Sequence, residues 1–249
     1  NNTAVGYRAG FINVSGTDNT AMGYEALRQN IHGIENTAFG SNSLYENESS
    51  FNTAVGFMAM ESSKDGSSNV AVGWKASRLS TKGEFNIGIG AEALFNSDNS
   101  RNTAVGYRSL YKNTADDNTA YGFKSSYSNR TGKDNVSIGI ESLHSSVNSN
   151  FNLAIGSQAL YNNIVSDNTA IGYKASFSNL TGIDNVNIGK LSSYSNMYGE
   201  GNISLGNEAL YSNDSSFNIA IGHQSLFSSN SENNTSIGFK SAFLNQDGT

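Results

Sequence analysis

The stretch NTAVGYRSLYKNTADD, from Asn102 to Asp117, is followed at once by NTAYGFKSSYSN from Asn118. The chain thus returns to Asn-Thr-Ala-x-Gly after 16 residues, and it does so along its whole length. A pentad of Asn, then Thr, Val, Ile or Leu, then a small residue, an apolar residue and Gly begins at Asn2, Asn19, Asn36, Asn52, Asn69, Asn86, Asn102, Asn118, Asn135, Asn152, Asn168, Asn185, Asn202, Asn218 and Asn234. These are 15 copies at steps of 16 or 17 residues. A fixed short period marks an architecture built by stacking one supersecondary unit. A slower rhythm of 50 residues, seen at Asn2, Asn52, Asn102, Asn152 and Asn202, reads as the record of a three-repeat duplication.

With the pentad Asn as column 1, the columns have distinct characters. Column 4 is bulky and mostly aliphatic, as at Val55, Val72, Ile89, Val105, Ile138, Ile155 and Ile171. Column 3 is small throughout, and column 5 is Gly in every copy. Side chains alternate across a strand, so columns 2 and 4 share one face and column 3 takes the other. The bulky column 4 is expected to be the buried one, and the small column 3 to admit a neighbouring layer. A second apolar segment occupies columns 8 to 10, as in ALF from Ala93 and SLY from Ser109, and a polar turn of Asn, Ser, Asp and Gly follows. No apolar pattern of helical period is sustained. Each repeat is therefore expected to be strand, bend, strand and turn. Neither strand can bury its apolar side alone, and stacking of coils would supply the cover.

The expected fold is all-β: a parallel β-solenoid, or β-roll, of 15 coils of 16–17 residues, with residues 1–249 forming a single repeat domain. Asn at column 1 would form an amide ladder. Absence of Pro agrees, because each coil needs its N–H groups. An alternative puts three repeats into one triangular 50-residue turn. The chain opens and closes inside the repeat pattern, so it reads as a fragment of a longer fibrous protein.

Composition narrows the function. There is no Cys, which removes disulfides, thiolate metal sites and thiol catalysis. A formal net charge of −6 offers little to neutralise phosphates, so no nucleic-acid partner is expected. No run of ~18 apolar residues suggests membrane insertion within this stretch. His32, His144 and His223 fall in different columns without metal-ligand spacing and read as packed or solvated residues. Phosphate-loop and serine-nucleophile motifs do not occur. Uniform repetition itself argues against an enzyme, since no place differs sharply from the rest, and no cofactor is expected.

Three columns remain as candidate sites. The residue before the repeat Asn is acidic at Asp18, Glu35, Asp117, Asp134, Asp167 and Asp184. Stacking would set Asp117 beside Asp134 and Asp167 beside Asp184, where Ca²⁺ could relieve the repulsion. The simpler reading is solvent-facing turn residues. Column 7 is a mixed ladder of Arg8, Glu25, Asn42, Met58, Lys75, Glu92, Arg108, Lys124 and Glu141, expected to face solvent. Column 10 is an aromatic stripe that includes Tyr111, Tyr127, Tyr161, Phe177, Tyr194 and Tyr211. Exposed, it would suit sugar stacking or contact with another chain. Packed, it would simply underlie the turn.

The repeat Asn-Thr-Ala-(Val/Ile)-Gly-Tyr-x-(Ala/Ser)-Leu-Tyr resembles those of bacteriophage tail-fibre proteins and of bacterial surface proteins of the same kind. Its core also resembles the head repeat of trimeric autotransporter adhesins of the Yersinia-adhesin type. This chain has one residue fewer between Asn and the small-apolar-Gly core, as in Asn152 to Gly156, and a longer repeat. The resemblance implies a left-handed parallel β-roll, a homotrimer, and an extracellular place on a bacterial surface or phage virion. It implies an adhesin or receptor-binding fibre segment that meets a cell-surface receptor or glycan. Alternatives are a polysaccharide-binding or -cleaving phage fibre, and an ice-binding solenoid. The last needs a regular Thr array, whereas column 2 is Thr in 8 of 15 repeats.

Overall fold

The structure, a computed structural model, describes residues 1–245. Among them the strands pair in parallel and no helix forms. The chain divides into two compact units, Asn1–Phe123 and Lys124–Thr249. In the first, eight three-residue strands run from Thr3–Val5 to Thr119–Tyr121. Seven more follow in the second, from Val136–Ile138 to Thr235–Ile237. Each is columns 2 to 4 of one repeat. Thr3 pairs with Thr20, Thr37 with Thr53, and Leu153 with Thr169. Residues 16 or 17 apart are therefore stacked, and one repeat is one coil of a parallel β-solenoid. The triangular 50-residue turn, which would lay Thr3 against Thr53, does not occur.

The second strand expected at columns 8 to 10 is absent, and a run of turns takes its place. Columns 7 and 9 are left-handed: φ is 52° at Glu25 and 50° at Leu27, 58° at Gln158 and 50° at Leu160. Alternating hand points successive N–H groups opposite ways along the stack. Glu25 N–H donates to the Tyr7 carbonyl of the coil before it at 2.8 Å, and Leu27 N–H to the Ser43 carbonyl of the coil after it at 2.9 Å. A left-handed leucine costs roughly 1–2 kcal/mol. Leaving a buried N–H unpaired costs about as much or more, so the inter-coil bonds hold this backbone. A short apolar run such as Ala93–Phe95 looks the same in both geometries, which is why the segment reads as a strand in sequence. Short bridges do form just beyond it, at columns 11 and 12, as between Ser212–Asn213 and Ser228–Ser229.

The core is the reverse of the expected one. Ala38, Ala54, Ala104, Ala154 and Ala170 of column 3 are fully buried. Val55, Val72, Val105, Ile155 and Ile171 of column 4 are only half-buried, and Ile89 and Ile138 are each 39% exposed. The reason is space. A coil of 16–17 residues encloses a thin interior, which small strand residues share with Leu or Met from column 9, such as Leu27, Leu44, Met60 and Leu160. A second layer of Val and Ile would not fit at native packing density. Column 9 of one coil meets column 3 of the next, and polar residues there are matched. Ser126 and Ser137 hydroxyls bond at 2.8 Å. Asn187 donates to Ser176 at 2.5 Å and accepts from Ser193 at 2.7 Å and from Ser204 at 2.6 Å.

Column 1 forms the amide ladder foreseen from sequence, with Asn185 Nδ2 donating to Asn168 Oδ1 at 3.2 Å and Asn234 Nδ2 to Asn218 Oδ1 at 2.9 Å, and the amides bond the backbone as well. The Asn19 Oδ1 accepts the backbone N–H of Asn36 at 2.9 Å, while its Nδ2 donates to the Gly33 carbonyl at 2.8 Å. Each amide thus ties the strand to the turn of the following coil. Column 12, always Asn or Ser, is a second buried polar column: Asn30 Nδ2 donates to Gly33 O at 2.8 Å, and Asn113 Nδ2 to Ala115 O at 2.7 Å. At column 5, Gly106 has φ +131°, and a Cβ there would overlap the carbonyl oxygen of Gly122. Only Gly lets the coils approach this closely.

Candidate functional site

Because column 3 points inward, columns 2 and 4 point out. In the second unit they form a nearly all-aliphatic face: Val136, Leu153, Val186, Ile203 and Ile219 in column 2, and Ile138, Ile155, Ile171, Ile188, Leu205, Ile221 and Ile237 in column 4, with Thr at 169 and 235. Each residue is half-buried or exposed. Alternation alone does not say which side is inside, so the face was not foreseen from sequence. The uniformly small column 3 was the signal, since a thin coil can bury small residues only.

Two further columns flank the face. On one side is the residue before the repeat Asn, left-handed in every copy from Asp18 (φ 60°) to Asn233 (φ 62°). That explains the Asp and Asn found there, which tolerate this conformation. Phe51, Phe85, Phe151 and Phe217 hold it as well, with φ between 55° and 63°, and all lie more than half exposed. A bulky side chain in this region is strained. On the other side is column 6, with exposed Tyr7, Tyr24, Phe57, Trp74 and Tyr107 in the first unit and Ile140, Tyr173 and Phe239 in the second.

The acidic candidates sit in that first flanking column. Asp117 is held by Arg101, with Nε to Oδ1 at 2.6 Å and Nη2 to Oδ2 at 2.9 Å, an ion pair rather than a metal cradle. Asp134, Asp167 and Asp184 are exposed. Among the described residues no group of three or more His, Cys, Asp or Glu is placed to hold a metal ion. No described helix is long and apolar enough to cross a membrane.

Column 10 is a continuous ring ladder in the second unit. Tyr127, His144, Tyr161, Phe177, Tyr194, Tyr211, Phe227 and Phe243 follow one another with centroids 4.9–5.4 Å apart and planes within 15° of parallel. In the first unit Phe95 stacks on Tyr111 at 5.1 Å. Rings from Tyr161 to Phe227 have neighbours on both faces, so edges and hydroxyls are what they offer. A sugar stacks on a free ring face, which this ladder does not leave.

Column 7 lies between the two ring columns instead of standing out in solvent. Lys174 Nζ sits 5.4 Å from the Tyr173 ring centroid and 5.2 Å from that of Phe177, and Arg108 lies similarly between Tyr107 and Tyr111. Arg108 Nε also donates to buried Glu92 Oε2 at 2.5 Å, a bond that raises the guanidinium pKa above its usual range. His32 Nδ1 lies 2.8 Å from Ser15 Oγ, and His223 stacks on Phe239 at 5.6 Å. Compared with known proteins, the chain matches no family model, no curated protein and no solved structure.

Proposed function

We propose that this chain is a segment of an extracellular fibre, a bacterial adhesin or a phage tail fibre, whose stacked coils present side-chain columns for attachment to a receptor or glycan. The observation that carries the reading is the uniformity of the coils. From Asn19 onward the rungs repeat the column-5 Gly and a column-1 Asn that is buried, or half-buried at Asn234, while the largest and most varied side chains lie on the outside. Stiffness and surface display suit such a build. The repeat resemblance supports the same reading, and association of copies belongs to it. The test is attachment. Labelled protein is expected to bind bacterial cells or immobilised cell-surface glycans saturably, with competition by unlabelled protein. Failure on both panels would remove attachment from the function.

One observation favours the ice-binding alternative: Thr3, Thr20, Thr37, Thr53, Thr103 and Thr119 all lie in an outward column of the first unit. Val70 and Ile87 interrupt that column, and Met22, Phe39 and Tyr121 stand beside it. A regular hydroxyl lattice is not formed, so the fibre reading is preferred.

A further inference from the structure

We propose that the aliphatic face of the second unit is a docking surface for a second copy of this chain, packed face to face about a two-fold axis that runs along the stack. The inference deepens the fibre reading by naming a partner, and it rests on the face itself.

Area is the first argument. Seven rungs at about 4.8 Å, spanned by the strand and its flanking columns, give a footprint on the order of 600 Å². That reaches the lower end of the ~600–800 Å² per partner of specific interfaces, with the aliphatic columns at its centre and polar columns at its rim. The apolar segment of each repeat that could have covered the face is already spent: columns 8 and 9 fill the interior.

Match of pattern is the second. A copy of the same chain carries the same rung spacing, so its Ile and Val columns interdigitate along the entire face. A partner keeps step over seven rungs when it repeats at the same ~4.8 Å strand spacing, as a second copy does along its whole face.

Charge selects the arrangement. Exposed Asp134, Asp167 and Asp184 line one edge of the face, and Lys190 stands in the column at the other edge. With the axes antiparallel, like edges meet and the Asp columns oppose each other. A two-fold along the stack instead sets each edge against the opposite edge on the same rung. Asp184 then faces the second copy's Lys190, since the two flank the same strand, Val186–Ile188. On the Asn152 rung the same operation sets exposed Phe151 against Ser157, a large side chain against a small one. This gives strained Phe151 a contact that its own chain leaves open. A single flat face selects two copies, because a three-fold ring needs two different contact surfaces on each chain.

The test is the mass of the intact chain by light scattering at about 10 μM, with circular dichroism reporting the fold. Two chains are expected. Asp184→Lys or Lys190→Asp alone should raise the dissociation constant roughly tenfold, because each pair occurs twice, and the two together should restore it. Ile155→Lys with Ile188→Lys should give a folded single chain, while Ile164→Lys, outside the face, should leave two. Should the double lysine variant not fold, Ile203→Thr with Ile219→Thr carries the test, since the first unit folds with Thr in that column; it should weaken association at least tenfold. A wild-type mass of one or three chains, or variants that leave the mass unchanged, overturns the proposal. A folded single chain that still attaches to cells would overturn the pairing and leave the fibre reading intact.

Discussion

At the scale of single residues, backbone conformation and direction decide more than residue type. Gly106 and Gly10 both have positive φ, yet they differ sharply in what surrounds them. A Cβ at Gly106 overlaps the next coil's backbone, whereas one at Gly10 meets only the Ala4 Cβ at 3.6 Å. Gly106→Ala is therefore expected to cost about 3 kcal/mol. Gly10 stands where later coils place Leu, beside a hollow of about 50 Å³ lined by Ala4, Ala21 and Leu27. Gly10→Leu should fill it and stabilise the chain by roughly 1 kcal/mol, net of the left-handed strain. Direction matters in the same way at neighbouring positions of one strand. Ala154→Asp buries a carboxylate with no partner and should cost about 4 kcal/mol or more. Ile155→Asp places the same group outside the coil and should cost the fold of a single chain about 1 kcal/mol, apart from the loss of pairing between copies. Denaturant midpoints measure all four. Equal effects at Ala154 and Ile155 would contradict the inward direction of column 3.

The element here is the rung, and its bonds run between coils. Asn152 Oδ1 accepts the Asn168 N–H at 3.1 Å, and its Nδ2 donates to Val165 O at 3.1 Å. Asn152→Ala should leave a buried N–H and carbonyl unpaired and cost about 2 kcal/mol. Asn152→Asp keeps the acceptor and loses the donor when ionised. Burial and the facing carbonyl would raise the folded-state pKa of the new carboxyl, so its protonated form is the tolerated one. Stability of this variant should fall as pH rises through about 4, the unfolded-state value, until the folded-state pKa is passed. Wild-type protein measured over the same range supplies the baseline, and a parallel profile would count against the donor role. In the ring ladder, Tyr194 touches Phe177 and Tyr211 at 5.3 Å each. Tyr194→Ala should lose about 2 kcal/mol and Tyr194→Phe almost nothing, because the faces make the contact.

For the whole molecule, stability should be a sum over rungs with nearest-neighbour terms. Most contacts join one coil to the next, so damage ought to stay local within a unit. Hydrogen exchange on Gly106→Ala is expected to lose protection first at Thr103–Val105 and Thr119–Tyr121, and last at Thr20–Met22. Uniform loss across the first unit would mean a single cooperative block instead. Local opening also bears on display. A substitution that disorders one rung should remove the columns it carries and leave distant rungs able to bind.

Period, class and stacking were legible in the sequence, because they follow from the spacing of the pentad and from the alternation of small and bulky residues. The Asn ladder and the turn chemistry at Asp117, Asp167 and Asp184 were legible for the same reason: local chemistry specifies them. Which strand face lies inside was not. Alternation is symmetric, and β-branched bulk, as at Ile155 and Ile171, ordinarily marks a core. Only the tertiary structure showed that a coil of 16–17 residues is too thin for that, so that alanine goes in and isoleucine goes out. The backbone at columns 8 to 10 was likewise decided by neighbouring coils. Its alternating left-handed residues are costly in isolation and become stable once N–H groups above and below find their carbonyls. The aromatic stripe was visible as a column, but its stacking ring on ring, which consumes the faces a sugar would use, depends on a coil spacing that no single repeat contains.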